Sequence, residues 1–222
     1  MNRRWQLAFG LALTGLAGYV DALGFIRLGG LYTSFMSGNT TQLSVALGQG
    51  AFAHAVLPGT LLLTFALGAI LGGGLSALTP PRFKTMTLLA FETLLLLAAL
   101  SMGLSAPDHA VASLFMALAM GMQNAVLAQV QGFRAGATFV TGALFSFGQK
   151  FAQALAGRGS AYGWVGDGAV WLALTVGAFL GALAYGAFAL YALVGPAVLA
   201  AILAVVAGVF AAVDRPVLSS TP

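Results

Sequence analysis

The feature that most constrains this chain is a short polar phrase that occurs twice in an otherwise apolar sequence. Gly18-Tyr-Val-Asp21-Ala22, followed by Phe35-Met-Ser37-Gly38-Asn39, returns as Gly121-Met-Gln-Asn124-Ala125, followed by Phe139-Val-Thr141-Gly142-Ala143. The offset is 103 residues for Gly18/Gly121 and Asp21/Asn124, and 104 for Phe35/Phe139, Ser37/Thr141 and Gly38/Gly142. A third match, Gly68-Ala-Ile-Leu-Gly72 against Gly177-Ala-Phe-Leu-Gly181, lies at an offset of 109. These matches point to an internal duplication with halves at about 5–105 and 110–213 in one membrane domain spanning 1–222. Duplicated backbone-breaking elements inside hydrophobic segments are a mark of many membrane transporters.

With 60% hydrophobic and 6% charged residues, and a mean hydropathy of +0.97, the sequence is that of an all-α integral membrane protein whose first partner is the lipid bilayer. The net charge of +4 would suggest nucleic acid in a soluble chain, but here the basic residues stand at segment ends and act as topology markers. No nucleic-acid partner is expected. The stretch after Met1–Arg4 reads as a first span, not a removed signal peptide. Cysteine is absent, and His54 and His109 are far apart in sequence, so neither a metal site nor a cofactor is expected.

Six apolar stretches are long enough to cross at about 20 residues each: 5–26, 57–78, 85–105, 110–130, 164–188 and 191–213. Segments 31–50 and 136–156 carry many hydroxyl and amide side chains and need protein or water around them at membrane depth. If all eight segments cross, basic residues divide 5 against 4. If the two polar segments enter and return, Arg3, Arg4, Arg82, Lys84, Arg134, Lys150, Arg158 and Arg215 share the cytoplasmic side and Arg27 stands alone outside, 8 to 1. The expectation is therefore six transmembrane helices plus two re-entrant helices, with an odd number of crossings per half inverting the repeat. A broken helix that crosses is the open alternative for either polar segment.

Asp21 and Glu92 are acids well inside predicted spans, where a charge costs at least about 2.5–3.5 kcal/mol. Each is a candidate for a coupling proton or cation. The alternative is structural: Asp21 accepts hydrogen bonds from the re-entrant element, and Glu92 bonds a neighbouring helix. Ser37-Gly38-Asn39, with Thr40, and Thr141-Gly142 read as the two re-entrant tips. There glycine permits a sharp bend and Ser37, Asn39 or Thr141 would cap the half-helix that follows. Two helix N-termini facing the membrane centre would favour an anionic or hydrogen-bond-accepting solute. Asn124, which matches Asp21, joins the candidate substrate-binding residues. Gln123 fits interhelical amide bonding better. Gly68, Gly72, Gly177 and Gly181 have the small-xxx-small spacing of close helix packing.

Taken together, Gly18-x-x-Asp21-Ala22-x-Gly24-Phe25, Phe35-Met-Ser37-Gly38-Asn39-Thr40, Gly121-Met-Gln123-Asn124-Ala125 and Thr141-Gly142 resemble the YoaK-like family of bacterial inner-membrane proteins over nearly the whole chain. The family's Thr-Gly-Asn stands here as Ser37-Gly38-Asn39, which retains the hydroxyl. The resemblance implies a multi-pass protein of the bacterial inner membrane and no particular substrate.

The leading functional expectation is a secondary transporter or facilitator for a small polar, anionic solute, coupled to a proton or cation. A passive channel and a non-transporting scaffold or assembly factor are the alternatives. An enzyme is not expected, because no histidine on a span stands in register with Ser37 to serve as its base. The chain is short for a transporter that must enclose a path alone, so a homodimer is a further possibility.

Overall fold

The computed structural model describes residues 3–105, 109–128 and 140–213. Eight α-helices follow in order among them: α1 (Arg3–Arg27), α2 (Met36–Gly48), α3 (Phe52–Leu78), α4 (Lys84–Ser105), α5 (His109–Leu127), α6 (Val140–Leu155), α7 (Val165–Phe188) and α8 (Val194–Val213). A 3₁₀ turn, Pro81–Phe83, leads into α4, and another, Ala189–Leu193, joins α7 to α8. Among the described residues five continuous stretches are long and apolar enough to cross a bilayer, and the last, Val165–Val213, holds both α7 and α8. Leu, Ala and Phe fill these helices on every side, as a helix with lipid on one face and protein on the other requires. The chain is a multi-pass membrane protein.

The two polar segments become the short helices α2 and α6, of 13 and 16 residues. At 1.5 Å per residue they extend about 20 and 24 Å, short of the roughly 30 Å hydrocarbon core.

Which helices share an end of the bundle follows from side-chain neighbours. At one end, the Arg27 guanidinium, Leu190 and Ala112 all lie within 3.4 Å of where a side chain on Gly103 would begin. The ends of α1, α4 and α7 and the start of α5 are therefore together. At the opposite end Trp5 packs on Phe210 with ring centroids 6.1 Å apart, and Met86 lies against Gly208, which joins the starts of α1 and α4 to the end of α8. Since α3 turns directly into α4, α3 begins at the Arg27 end. The segment between α1 and α3 thus leaves that end and returns to it, and α2 does not cross. By the same reasoning α5 runs to the Trp5 end and α7 starts there, so α6 lies on an excursion from the Trp5 end.

Two helix pairs are the most closely packed, α1 with α7 and α3 with α5. Each is held by glycines that admit the partner's backbone. A Cβ on Gly18 would overlap the Leu174 carbonyl, one on Gly177 the Gly15 carbonyl, and one on Gly181 the backbone of Tyr19. In the second pair Gly121 meets Phe65, Gly68 meets Leu118 and Gly72 meets Met122. Shifting α1 residues by 103 and α3 residues by 109 turns each contact of one pair into a contact of the other. The small-xxx-small spacing is therefore used inside the chain. The buried core between these pairs is made by Leu13, Leu16, Val20, Leu23, Met116 and Met120, with Leu88, Leu89 and Leu96 from α4.

Candidate functional site

Asp21, six residues before the end of α1, is the anchor of the chain's first excursion. Its Oδ1 accepts from the backbone N–H of Thr33 at 2.8 Å and of Ser34 at 2.6 Å, and its Oδ2 pairs with the Ser34 hydroxyl at 2.7 Å. The Thr33 hydroxyl stands 3.2 Å from Oδ1 and 3.4 Å from the Val20 carbonyl, so its single hydrogen is shared between them. Hydrogen bonds to a charged group contribute about 1.5–3 kcal/mol each, so three or more outweigh an insertion cost of about 2.5–3.5 kcal/mol. The structural alternative for Asp21 is thus realised: the carboxyl ties the loop 28–35 back into the bundle, with Gly29 and Gly30 at φ +64° and +114° making the reversal.

This moves the tip of the first re-entrant element by one turn. The sequence places it at Ser37-Gly38-Asn39; in the structure the non-helical tip is Thr33-Ser34-Phe35, and Ser37, Gly38 and Asn39 already lie in the first turn of α2. Phe35 is the N-cap residue, and no side chain caps α2. Asn39 instead clamps Tyr32, accepting from its N–H at 2.9 Å and donating to its carbonyl at 2.7 Å. A Cβ on Gly38 would meet the Tyr32 ring at 2.9 Å and the Phe35 ring at 3.1 Å, so glycine is needed there to seat aromatic rings. Tyr32 in turn packs on Phe25 and Phe35 with centroids 5.1 and 5.2 Å apart. The N–H groups expected to greet an anion are largely taken: Thr33 and Ser34 donate to Asp21, Met36 to Ser34 O and Gly38 to Phe35 O.

Beside this tip a cavity of about 440 Å³ opens between α1 and α7. Gly18, Asp21 and Phe25 of α1 form one wall, Leu174 and Ala178 of α7 another, and Tyr32, Ser34 and Phe35 the first tip. Val140 and Thr141, the first residues of α6, complete it. The loop that leads into α2 and the start of α6 therefore line one cavity, and of the expected substrate-binding residues Thr141 is among its lining. The aromatic cluster Phe147, Phe151 and Trp164 holds α6 against the start of α7, and Lys150 bonds Asp167 there at 2.6 Å.

Of the other candidates, Gly142 is exposed in the first turn of α6, and Ser37 and Thr40 are exposed on α2, where Thr40 donates to Met36 O within its own helix. Gln123 is buried and donates to Leu13 O of α1 at 3.2 Å, the interhelical amide bond expected of it. Asn124 donates to Met120 O at 3.2 Å. Residues 129–139, which contain Phe139 and the approach to the second tip, lie outside the described residues. Glu92 is fully buried on α4 and is not among the residues that line the cavity. Neither of its carboxyl oxygens has a hydrogen-bond partner among the described residues, so the expected bond to a neighbouring helix is not among them. Sequence reasoning missed Tyr32, Ser34 and Leu174 as cavity residues. Ser34 was within reach: Asp21 needs donors, and Thr33-Ser34 directly follows the double glycine that turns the chain.

The family described as "Protein of unknown function (DUF1275)" matches residues 9–206. A relative, the UPF0700 transmembrane protein RA0705 of Rhizobium meliloti (strain 1021), is 36% identical over 177 residues, which cover 79% of this chain and 74% of the relative. The chain belongs to the DUF1275 family; neither match carries the YoaK name. No solved structure matches it.

Proposed function

We propose that this DUF1275 membrane protein is a transporter or facilitator for a small polar solute, built from two inverted halves and holding the solute between the starts of α2 and α6. The observation that carries this reading is the shared cavity: Ser34 and Phe35 from one half and Val140 and Thr141 from the other line it together with Asp21. The duplication is supported by the glycine contacts that interchange under the sequence offsets and by the opposite directions of α1 and α5. Halves related in this way can exchange conformations and open one central site to each side in turn. The Trp5 end carries Arg3, Arg4, Arg82, Lys84 and Arg158, against Arg27 at the other, so the Trp5 end is assigned to the cytoplasm of a bacterial inner membrane.

Glu92 is the better candidate for a coupling proton or cation. Asp21 Oδ1 is held by the loop it anchors, whereas neither oxygen of the buried Glu92 has a hydrogen-bond partner among the described residues. An anionic solute loses its support at α2, where Asp21 takes the donors, and keeps it at α6 alone. Both ends of the cavity come from one chain, so a second copy is not part of the proposal. A scaffold would use exposed glycine faces, but Gly68, Gly72, Gly177 and Gly181 are buried in internal contacts.

The test uses the absence of cysteine. A single Thr141→Cys in oriented proteoliposomes should react with a small, membrane-impermeant thiol reagent from either face, because a transport path exposes Thr141 to both. Reaction from one face alone, or with a lipophilic reagent only, would overturn the reading.

A further inference from the structure

Resting on that reading of the cavity, we propose that its solute is an organic ammonium cation carrying apolar bulk. Three features of the wall lead to this class. Among the described residues, Asp21 is the one acidic side chain that lines the cavity, and no Lys, Arg or His lines it. Asp21 Oδ2 pairs with a single group, the Ser34 hydroxyl, which leaves it acceptor capacity. Beside it stand three aromatic rings in contact, Phe25, Tyr32 and Phe35, all of which line the cavity. A ring face attracts a cation by its quadrupole, by about 0.5–1 kcal/mol when exposed and about 2 kcal/mol or more when water is excluded.

The competing classes fit this wall less well. An anion finds the N–H groups of the first tip already taken by Asp21 and is left with the partial positive charge at the start of α6 alone. A small inorganic cation needs six or more oxygen ligands for calcium or a near-octahedral shell for magnesium. Here Ile26, Leu174 and Ala178 supply hydrocarbon in place of such ligands. A weakly hydrated ammonium with an apolar substituent matches both parts of the wall, and about 440 Å³ is within the range of small-molecule sites.

The probe is benzyltrimethylammonium, compared with neopentylbenzene, its uncharged isostere, and with benzenesulfonate. Each is titrated against the rate at which Thr141→Cys reacts with a thiol reagent in the purified full chain. Benzyltrimethylammonium should slow the reaction, and the other two should leave it unchanged. Phe35→Leu keeps the Asp21 anchor and removes one ring, so it should weaken the protection by about fivefold or more. Protection by benzenesulfonate alone, equal protection by neopentylbenzene, or undiminished protection in Phe35→Leu would overturn the inference. Protection without flux in proteoliposomes upholds the ammonium site and removes the transport reading; flux of another solute, with no ammonium protection, removes the ammonium site alone.

Discussion

Gly18 of α1 lies directly against the carbonyl of Leu174 in α7, and Gly121, 103 residues on from Gly18, lies in the same way against the carbonyl of Phe65, 109 residues back from Leu174. The contact leaves no room for a Cβ at either glycine. It brings the wall of the cavity together, because Gly18 and Leu174 both line it.

Gly18→Ala and Gly121→Ala should each destabilise the folded protein by about 1–3 kcal/mol, since added volume meets rigid backbone. Gly73→Ala, on α3 with nothing within 4 Å of its Cβ position, is the control and should be neutral or slightly stabilising. Thermal unfolding in detergent measures all three. Equal effects at Gly18 and Gly73 would contradict the packing.

If α2 does not cross, Gln49→Cys at its end and Ser105→Cys at the end of α4 should react with an impermeant thiol reagent from the same face. Phe83→Cys and Ser160→Cys should react from the opposite one. Gln49→Cys reacting together with Phe83→Cys would mean that α2 spans the bilayer.

Asp21→Asn keeps the shape of the side chain and an oxygen for the Thr33 and Ser34 N–H groups, but gives up the carboxylate's stronger acceptance and makes the Ser34 hydroxyl accept from an NH₂ instead of donating. We expect a loss of about 1–3 kcal/mol, together with faster amide exchange of Thr33 and Ser34. Ser34→Ala removes one side-chain bond and keeps both backbone bonds, so its loss should be the smaller. A larger loss for Ser34→Ala would show that Asp21 is not the anchor.

Glu92 separates stability from function. Glu92→Leu replaces two buried oxygens that have no hydrogen-bond partner among the described residues with hydrocarbon, and should stabilise the protein by about 1–3 kcal/mol. On the coupling role proposed for it, the same variant should lose ion-dependent uptake of the solute while still folding. A destabilised Glu92→Leu would point to a partner for the carboxyl.

Much of the fold follows from the sequence alone, because the bilayer imposes one-dimensional rules. Apolar length separates the long helices from α2 and α6, and the clustering of basic residues anticipates the face that α2 and α6 each return to. Periodic glycines mark α1, α3, α5 and α7 as the closely packed helices. The site was less legible. That Asp21, Ser34 and Thr141 line one cavity depends on which helices pair most closely: α1 is packed on α7, so the loop that leads into α2 meets the start of α6. Ser37 and Asn39 looked like a tip because the polar residues are dense there, but the bend sits where a buried carboxyl finds N–H donors, at Thr33 and Ser34. Glu92 reads in sequence as a twin of Asp21; only the tertiary structure separates them, since one carboxyl is met by a returning loop and the other is buried with no hydrogen-bond partner among the described residues.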